Sequence, residues 1–260
     1  MIIDTHCHLF AEEFDEDRDA LIAAAKEAGI KKLLLPNIDD ETTGRLYDLC
    51  DKYPDFAYPM MGLHPTSVDA GYKKRLAAIE KCLHSRTHCA IGEIGIDLYW
   101  DKSYLKEQKF VFEEQLRWSV ELGLPVSIHT RNAFEEVFES LHRVGEEVGA
   151  DRLSGIFHCF TGTEEELKAI KELENFKIGI NGVVTFKKST LPQVLKNIDI
   201  NRIVLETDAP YLAPTPYRGK KNLPEYIVEQ AKKIAEIYAL TLEETIRITT
   251  QNAEMVFGGN

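Results

Sequence analysis

The feature that most constrains this chain is an alternation: short, apolar, β-branched runs are followed by longer amphipathic segments, eight times from one end to the other. Such a pattern specifies repeated β-α units and excludes all-α and all-β folds. The strand candidates cover residues 2–6, 33–38, 58–63, 90–96, 125–129, 153–158, 177–184 and 202–206. Helix candidates between them cover 18–28, 41–52, 74–84, 103–122, 133–148, 164–173 and 191–197. After the last strand come 224–238 and 242–257, so the final unit carries an extra C-terminal helix. Gly29, Gly123 and Gly149 fall at or just after helix ends, where a left-handed cap is favoured. Thr163 and Glu166 have the spacing of a capping box.

Strands that are apolar nearly throughout suit a sheet covered on both faces, and eight of them predict a closed TIM-type (β/α)8 barrel. An open, doubly wound sheet is the competing arrangement. With no linker or low-complexity stretch in view, residues 1–260 are expected to form a single domain; 260 residues at 44% hydrophobic content suffice for one large core. No run reaches the roughly 20 apolar residues of a membrane helix, and "MIIDTHCHLF" is too short and polar for a signal peptide. A cytoplasmic protein is expected, with no membrane contact and no obligate protein partner. The five cysteines form no CxxC pair and leave one unmatched, so they are expected to be reduced and buried. Cys7 and Cys159 each adjoin a histidine and should face away from it.

In a barrel of this kind the chemistry belongs at the C-terminal ends of the strands. The apolar runs end in "IIDTHCH", "LLLPN", "MMGLHP", "IGEIGID", "VSIHT", "GIFHCF", "IGINGVV" and "VLETDAP". One mouth thereby receives His6 and His8, His64, Glu93, His129, His158, and Glu206 with Asp208. His6 and His8, one residue apart in an extended segment, project from one face and leave Cys7 on the other. A lone histidine at a strand end is more often a satisfied core residue than a ligand. A set of imidazoles and carboxylates gathered at one mouth, however, is costly to bury without partners, and a dinuclear metal site explains them together. Such mixed ligands suit zinc, manganese, cobalt, nickel or iron, whereas magnesium prefers more oxygen. His84 and His88 precede the fourth strand at the opposite end, and His142 lies within a helix; all three are read as solvated or structural.

The segments "DTHCH", "GLHP", "IGEIGID", "SIHTR", "FHCFTG" and "LETDAPYL", in this order over essentially the whole chain, resemble the TatD family of metal-dependent deoxyribonucleases within the amidohydrolase superfamily. The resemblance implies two divalent metal ions (Mg, Mn or Zn). His6 and His8 match the family's first-strand ligands, Glu93 the bridging carboxylate, His129 and His158 the ligands of the second ion, and Asp208 the last-strand ligand. It implies hydrolysis of DNA phosphodiesters, commonly as an exonuclease on free ends. Two positions depart from the family pattern: Phe10 stands where an aspartate is frequent, and Leu223 where a glutamate is frequent. Neither matches a metal ligand, so these departures bear on substrate contacts.

Two close metal ions lower the pKa of a bound water and stabilise the entering and leaving oxygens of a phosphodiester. Glu93 is assigned to bridging and Asp208 to ligation and to orienting or deprotonating the attacking water. The formal charge of −12 argues against coating a nucleic-acid backbone, so phosphate must be held locally and over a small footprint. Arg131, two residues after His129, and Arg218, Lys220 and Lys221 in "YRGKKN" are candidate phosphate contacts; a salt bridge or a solvated loop is the plain alternative. His64 either donates to a phosphate oxygen or joins a metal, and Glu206 polarises a neighbouring ligand. Tyr99 and Trp100 lie where an aromatic face can stack on an unpaired base, with loop packing as the alternative. The expected substrate is therefore a single-stranded or frayed DNA end. The competing functions are hydrolysis of a small amide or ester, since fold does not fix function, and a non-catalytic metal-binding scaffold.

Overall fold

The computed structural model describes residues 1–258. Eight parallel strands, β1 (Ile2–Asp4), β2 (Ile30–Pro36), β3 (Ala57–Met61), β4 (Ala90–Asp97), β5 (Val126–Arg131), β6 (Gly155–Phe157), β7 (Phe176–Ile180) and β8 (Ile203–Leu205), pair in chain order. The Thr5 N–H donates to the Leu205 carbonyl at 3.1 Å and brings the two edges together, giving a nearly closed barrel. Around it run α1 (Arg18–Glu27), α2 (Thr43–Lys52), α3 (Tyr72–Leu83), α4 (Leu105–Leu122), α5 (Phe134–Val148), α6 (Glu164–Glu172), α7 (Leu191–Val194) and α8 (Ile227–Tyr238), with α9 (Leu242–Phe257) as the extra C-terminal helix. None of the described helices is long and apolar enough to cross a membrane.

Strand alternation divides the core in two. Ile3, Leu34, Met60, Ala90, Ile156 and Val204 form one cluster with Ala253 and Phe257, so the end of α9 packs against one set of strand residues. The intervening positions, among them Ile2, Leu33, Leu35, Met61 and Ile203, pack with the surrounding helices. A period of two carries the first set onward: two residues past Ile156 and Val204 stand His158 and Glu206, and four past Met60 stands His64. The interior of the barrel thus opens directly into a polar mouth.

Several strands are shorter than the sequence implies. β1 stops at Asp4, β6 at Phe157, β7 at Ile180 and β8 at Leu205, so His6, His8, His158, Glu206 and Asp208 all lie beyond regular sheet. The ladder gives way because side chains take over backbone groups there. Asp4 accepts from the His6 N–H at 3.3 Å, Glu206 from the Cys159 N–H at 2.6 Å, and Asn181 from the Val183 N–H at 3.1 Å, opening a 3-10 turn over Gly182–Thr185. β2 begins earlier than expected, at Ile30, and β5 runs on to Arg131. Gly123 caps α4 with φ 64°, and Thr163 with Glu166 makes the capping box that opens α6.

Candidate metal centre

Glu93 is the hub. β4 carries a register irregularity between Ile91 and Ile94, one extra residue relative to β5, and Glu93 sits within it. Such bulges re-aim side chains, and here the carboxylate, 2% exposed, is directed into the mouth. Its two oxygens face different partners. Oε2 lies 3.1 Å from His6 Nε2 and 3.7 Å from His8 Nε2; Oε1 lies 2.9 Å from His129 Nδ1, 3.4 Å from His64 Nε2 and 3.6 Å from His158 Nε2. Asp208, in a left-handed backbone conformation (φ 58°), places Oδ1 3.6 Å from His8 Nε2 and 3.8 Å from His158 Nε2. All six residues of the expected ligand set therefore converge on one buried volume.

The surrounding contacts hold the rings in place. Ser127 Oγ lies 3.2 Å from His6 Nδ1, so the other ring nitrogen points at His8 and Glu93. Glu206 Oε1 stands 3.0 Å from His158 Nδ1, behind that ring. Only glycine leaves room for Glu206 at position 179, since a Cβ there would sit 2.1 Å from Oε2. His64 Nδ1 accepts the Thr66 N–H at 3.1 Å, so the proton of the neutral ring is on Nε2, the nitrogen facing Glu93.

Burial and the stacked His158 ring, 3.3 Å between centroids, push His6 down to about 3. His158 moves the other way, up to about 10: burial opposes its protonation, but Glu206, Glu93 and Asp208 outweigh it. Burial likewise opposes ionisation of Glu93, yet the surrounding histidines hold its carboxyl well below the usual range. The carboxylates thus draw positive charge into the mouth. The donor set fits divalent cations: His6 and His8 turn ring nitrogens toward each other at 3.2 Å beside a carboxylate oxygen, an arrangement of lone pairs that a cation reconciles. Ligand atoms of His6, His8 and Glu93 lie within 4.8 Å of one another.

Cys159 corrects an expectation. Its Sγ joins the group formed with His158 and Asp208, instead of facing away, because a left-handed backbone (φ 50°) breaks strand alternation at that residue. Its thiol is pushed up, first by burial and then by Asp208 and Glu206, and Asn181 Nδ2 donates to Sγ at 2.9 Å. Cys7 is buried in the outer core, away from the histidines. At the rim, the exposed Arg131 stacks on Tyr99, and Arg218 stacks on Phe186 while donating to the Ala213 carbonyl. Lys220 is exposed. Lys221 donates to the Glu13 carbonyl at 2.7 Å, which ties its loop down. His84 and His142 are exposed, and His88 is buried at the opposite end.

Sequence reasoning did not single out Asp97, Asp4, Ser127 or Thr207. Asp97 Oδ2 lies 2.8 Å from His129 Nε2; its signal was its place four residues after Glu93 on the same strand. Asp4 accepts from the Thr207 N–H at 2.9 Å and from its hydroxyl at 2.6 Å, fastening the His6 segment to the Asp208 segment. Burial raises the Asp4 carboxyl to about 7, against those same hydrogen bonds.

The family model described as TatD related DNase matches residues 3–258. An uncharacterized metal-dependent hydrolase of Bacillus subtilis, YabD, is 39% identical over 264 residues, covering 99% of each chain. YcfH of Escherichia coli, also described as an uncharacterized metal-dependent hydrolase, is 30% identical and covers 98% of this chain and 95% of its own. The crystal structure of YjjV, a TatD homologue from Escherichia coli, superposes with a TM-score of 0.90 at 27% identity, covering 100% of this chain and 98% of that one. With this fold and this cluster of imidazoles and carboxylates, the chain belongs to the TatD family of metal-dependent hydrolases.

Proposed function

We propose that this hydrolase cleaves DNA phosphodiester bonds, releasing nucleotides from single-stranded or frayed ends with the help of two divalent ions. The observation that carries the reading is the division of the Glu93 carboxylate, one oxygen toward His6 and His8 and the other toward His129 and His158. His6, His8, Glu93, His129, His158 and Asp208 are the residues that would hold such ions, with Glu93 shared between the two histidine pairs. When bound, such ions activate water and neutralise the charge on a phosphoryl group.

The chain's own groups supply the rest. Asp208, reaching the mouth beside His8 and His158, is positioned to accept the proton of the attacking water. His64 carries its proton on Nε2 and offers a hydrogen bond to a phosphoryl oxygen. Glu206 fixes the His158 ring from behind. Arg131, Arg218 and Lys220 offer positive charge around the rim of an otherwise acidic molecule, which suits a short contact with a strand end.

End-labelled single-stranded and duplex DNA, RNA and small carboxamides, each incubated with Mg²⁺, Mn²⁺ or Zn²⁺, test the reading. Mononucleotides released from DNA ends, and lost in a folded Asp208→Asn protein, are the expected result. Turnover confined to carboxamides, or stoichiometric metal with no turnover at all, overturns it.

A further inference from the structure

Among the large hydrophobic side chains left in solvent, Tyr99 and Trp100 stand together just past β4, 52% and 71% exposed. The two rings meet edge to face, 4.9 Å between centroids at 90°. The Arg131 guanidinium lies 3.7 Å from the Tyr99 ring centroid and 5.3 Å from that of Trp100. Among the described residues no carboxylate lies within 4.0 Å of Arg131, although the protein is strongly acidic. An open indole beside an uncompensated cation matches a ligand that carries an aromatic face and a negative charge, which is the chemistry of a nucleotide.

The platform is also fixed to the metal centre. Asp97 Oδ1 accepts the Tyr99 N–H at 2.9 Å and the Trp100 N–H at 3.4 Å, while Oδ2 of the same carboxylate meets His129. Arg131 follows His129 by two residues on β5, and its carbonyl accepts the Leu98 N–H at 2.9 Å. One side chain thus sets both the imidazole and the loop that presents the indole.

We propose that Trp100, braced by Tyr99, stacks on the base of an unpaired nucleotide at the strand end being cut, with Arg131 pairing to its phosphate. The inference rests on the nuclease reading and adds what the site selects. A base within a duplex is held by its complement and its stacked neighbours, whereas an unpaired end base is free to turn its face onto the indole, so the platform favours frayed or single-stranded ends.

The experiment compares steady-state cleavage of two oligonucleotides of equal length, one ending in thymidine and one in an abasic residue, by the metal-loaded protein. The wild-type chain is expected to prefer the thymidine end by about fivefold or more in kcat/KM. Trp100→Ala should remove that preference through KM, and Trp100→Phe should keep most of it. Stopped-flow tryptophan fluorescence gives a second readout, because the other tryptophan, Trp118, is buried: quenching is expected on mixing with the thymidine end and not with the abasic one. Equal cleavage of both ends by an active wild-type enzyme, or a preference that survives Trp100→Ala, overturns the inference alone. A wild-type protein that cleaves neither oligonucleotide overturns the nuclease reading and this inference with it.

Discussion

Asp97 and His129 form a hydrogen-bonded pair, Oδ2 to Nε2 at 2.8 Å, on the side of the imidazole turned away from Glu93. A carboxylate in that position holds the ring proton on Nε2 and leaves the Nδ1 lone pair facing the centre, which raises the basicity of the nitrogen a cation would use. Asp97→Asn keeps the shape and an oxygen for the Tyr99 and Trp100 amides but removes the charge. Affinity of the stripped protein for Mn²⁺ or Zn²⁺, measured by calorimetric titration, should fall by about 10- to 100-fold. An unaltered affinity would leave Asp97 only the task of holding its loop.

His88 makes stability depend on pH from the other end of the barrel. It is buried, with Nε2 2.9 Å from the Tyr47 hydroxyl, and burial followed by the nearby Arg86 lowers its pKa to about 4. In the unfolded chain the ring titrates at about 6.5. Between these values the unfolded state takes up a proton that the native state refuses, so the stabilisation is complete above 6.5 and is lost as pH falls toward 4. From pH 7.5 to pH 5 the loss attributable to this ring is about 2 kcal/mol. Urea unfolding of wild type and His88→Gln, both in chelator, should show the stability gap between them narrowing by that amount. A gap equal at both pH values rules this ring out as the source.

The centre was legible where strand periodicity reached it. Ile156 and Val204 point inward, and one residue past the ends of β6 and β8 the same alternation still carries His158 and Glu206 to the mouth. Periodicity fails where the backbone leaves the strand. Cys159, with positive φ, reaches the same mouth as His158, a conformation that residue type alone does not announce. The Asp4–Thr207 clamp joins residues 203 positions apart, and no local pattern encodes such a pairing. Asp97 was readable in principle, because it ends the motif that contains Glu93, but an acid closing a strand looks the same whether it meets solvent or a histidine.

Metal binding should appear as stability before any substrate is added. Asp4, Glu93, Glu206 and Asp208 are buried at one end of the barrel, and Glu206 and Asp208 both draw on His158 for positive charge. Ions that bind only the folded state stabilise it by about 2.7 kcal/mol at a hundredfold excess over Kd. For a chain of this length that corresponds to a rise of roughly 5–10 °C in Tm. Differential scanning calorimetry should therefore show Mn²⁺ or Zn²⁺ raising Tm and chelator reversing the rise. Because Glu93 faces both histidine pairs, Glu93→Gln should lose most of the increment, whereas replacing a surface acid such as Glu243 should lose none. A Glu93→Gln protein with the full increment would mean that the ions bind elsewhere, and the assignment of this mouth as the metal centre would fall.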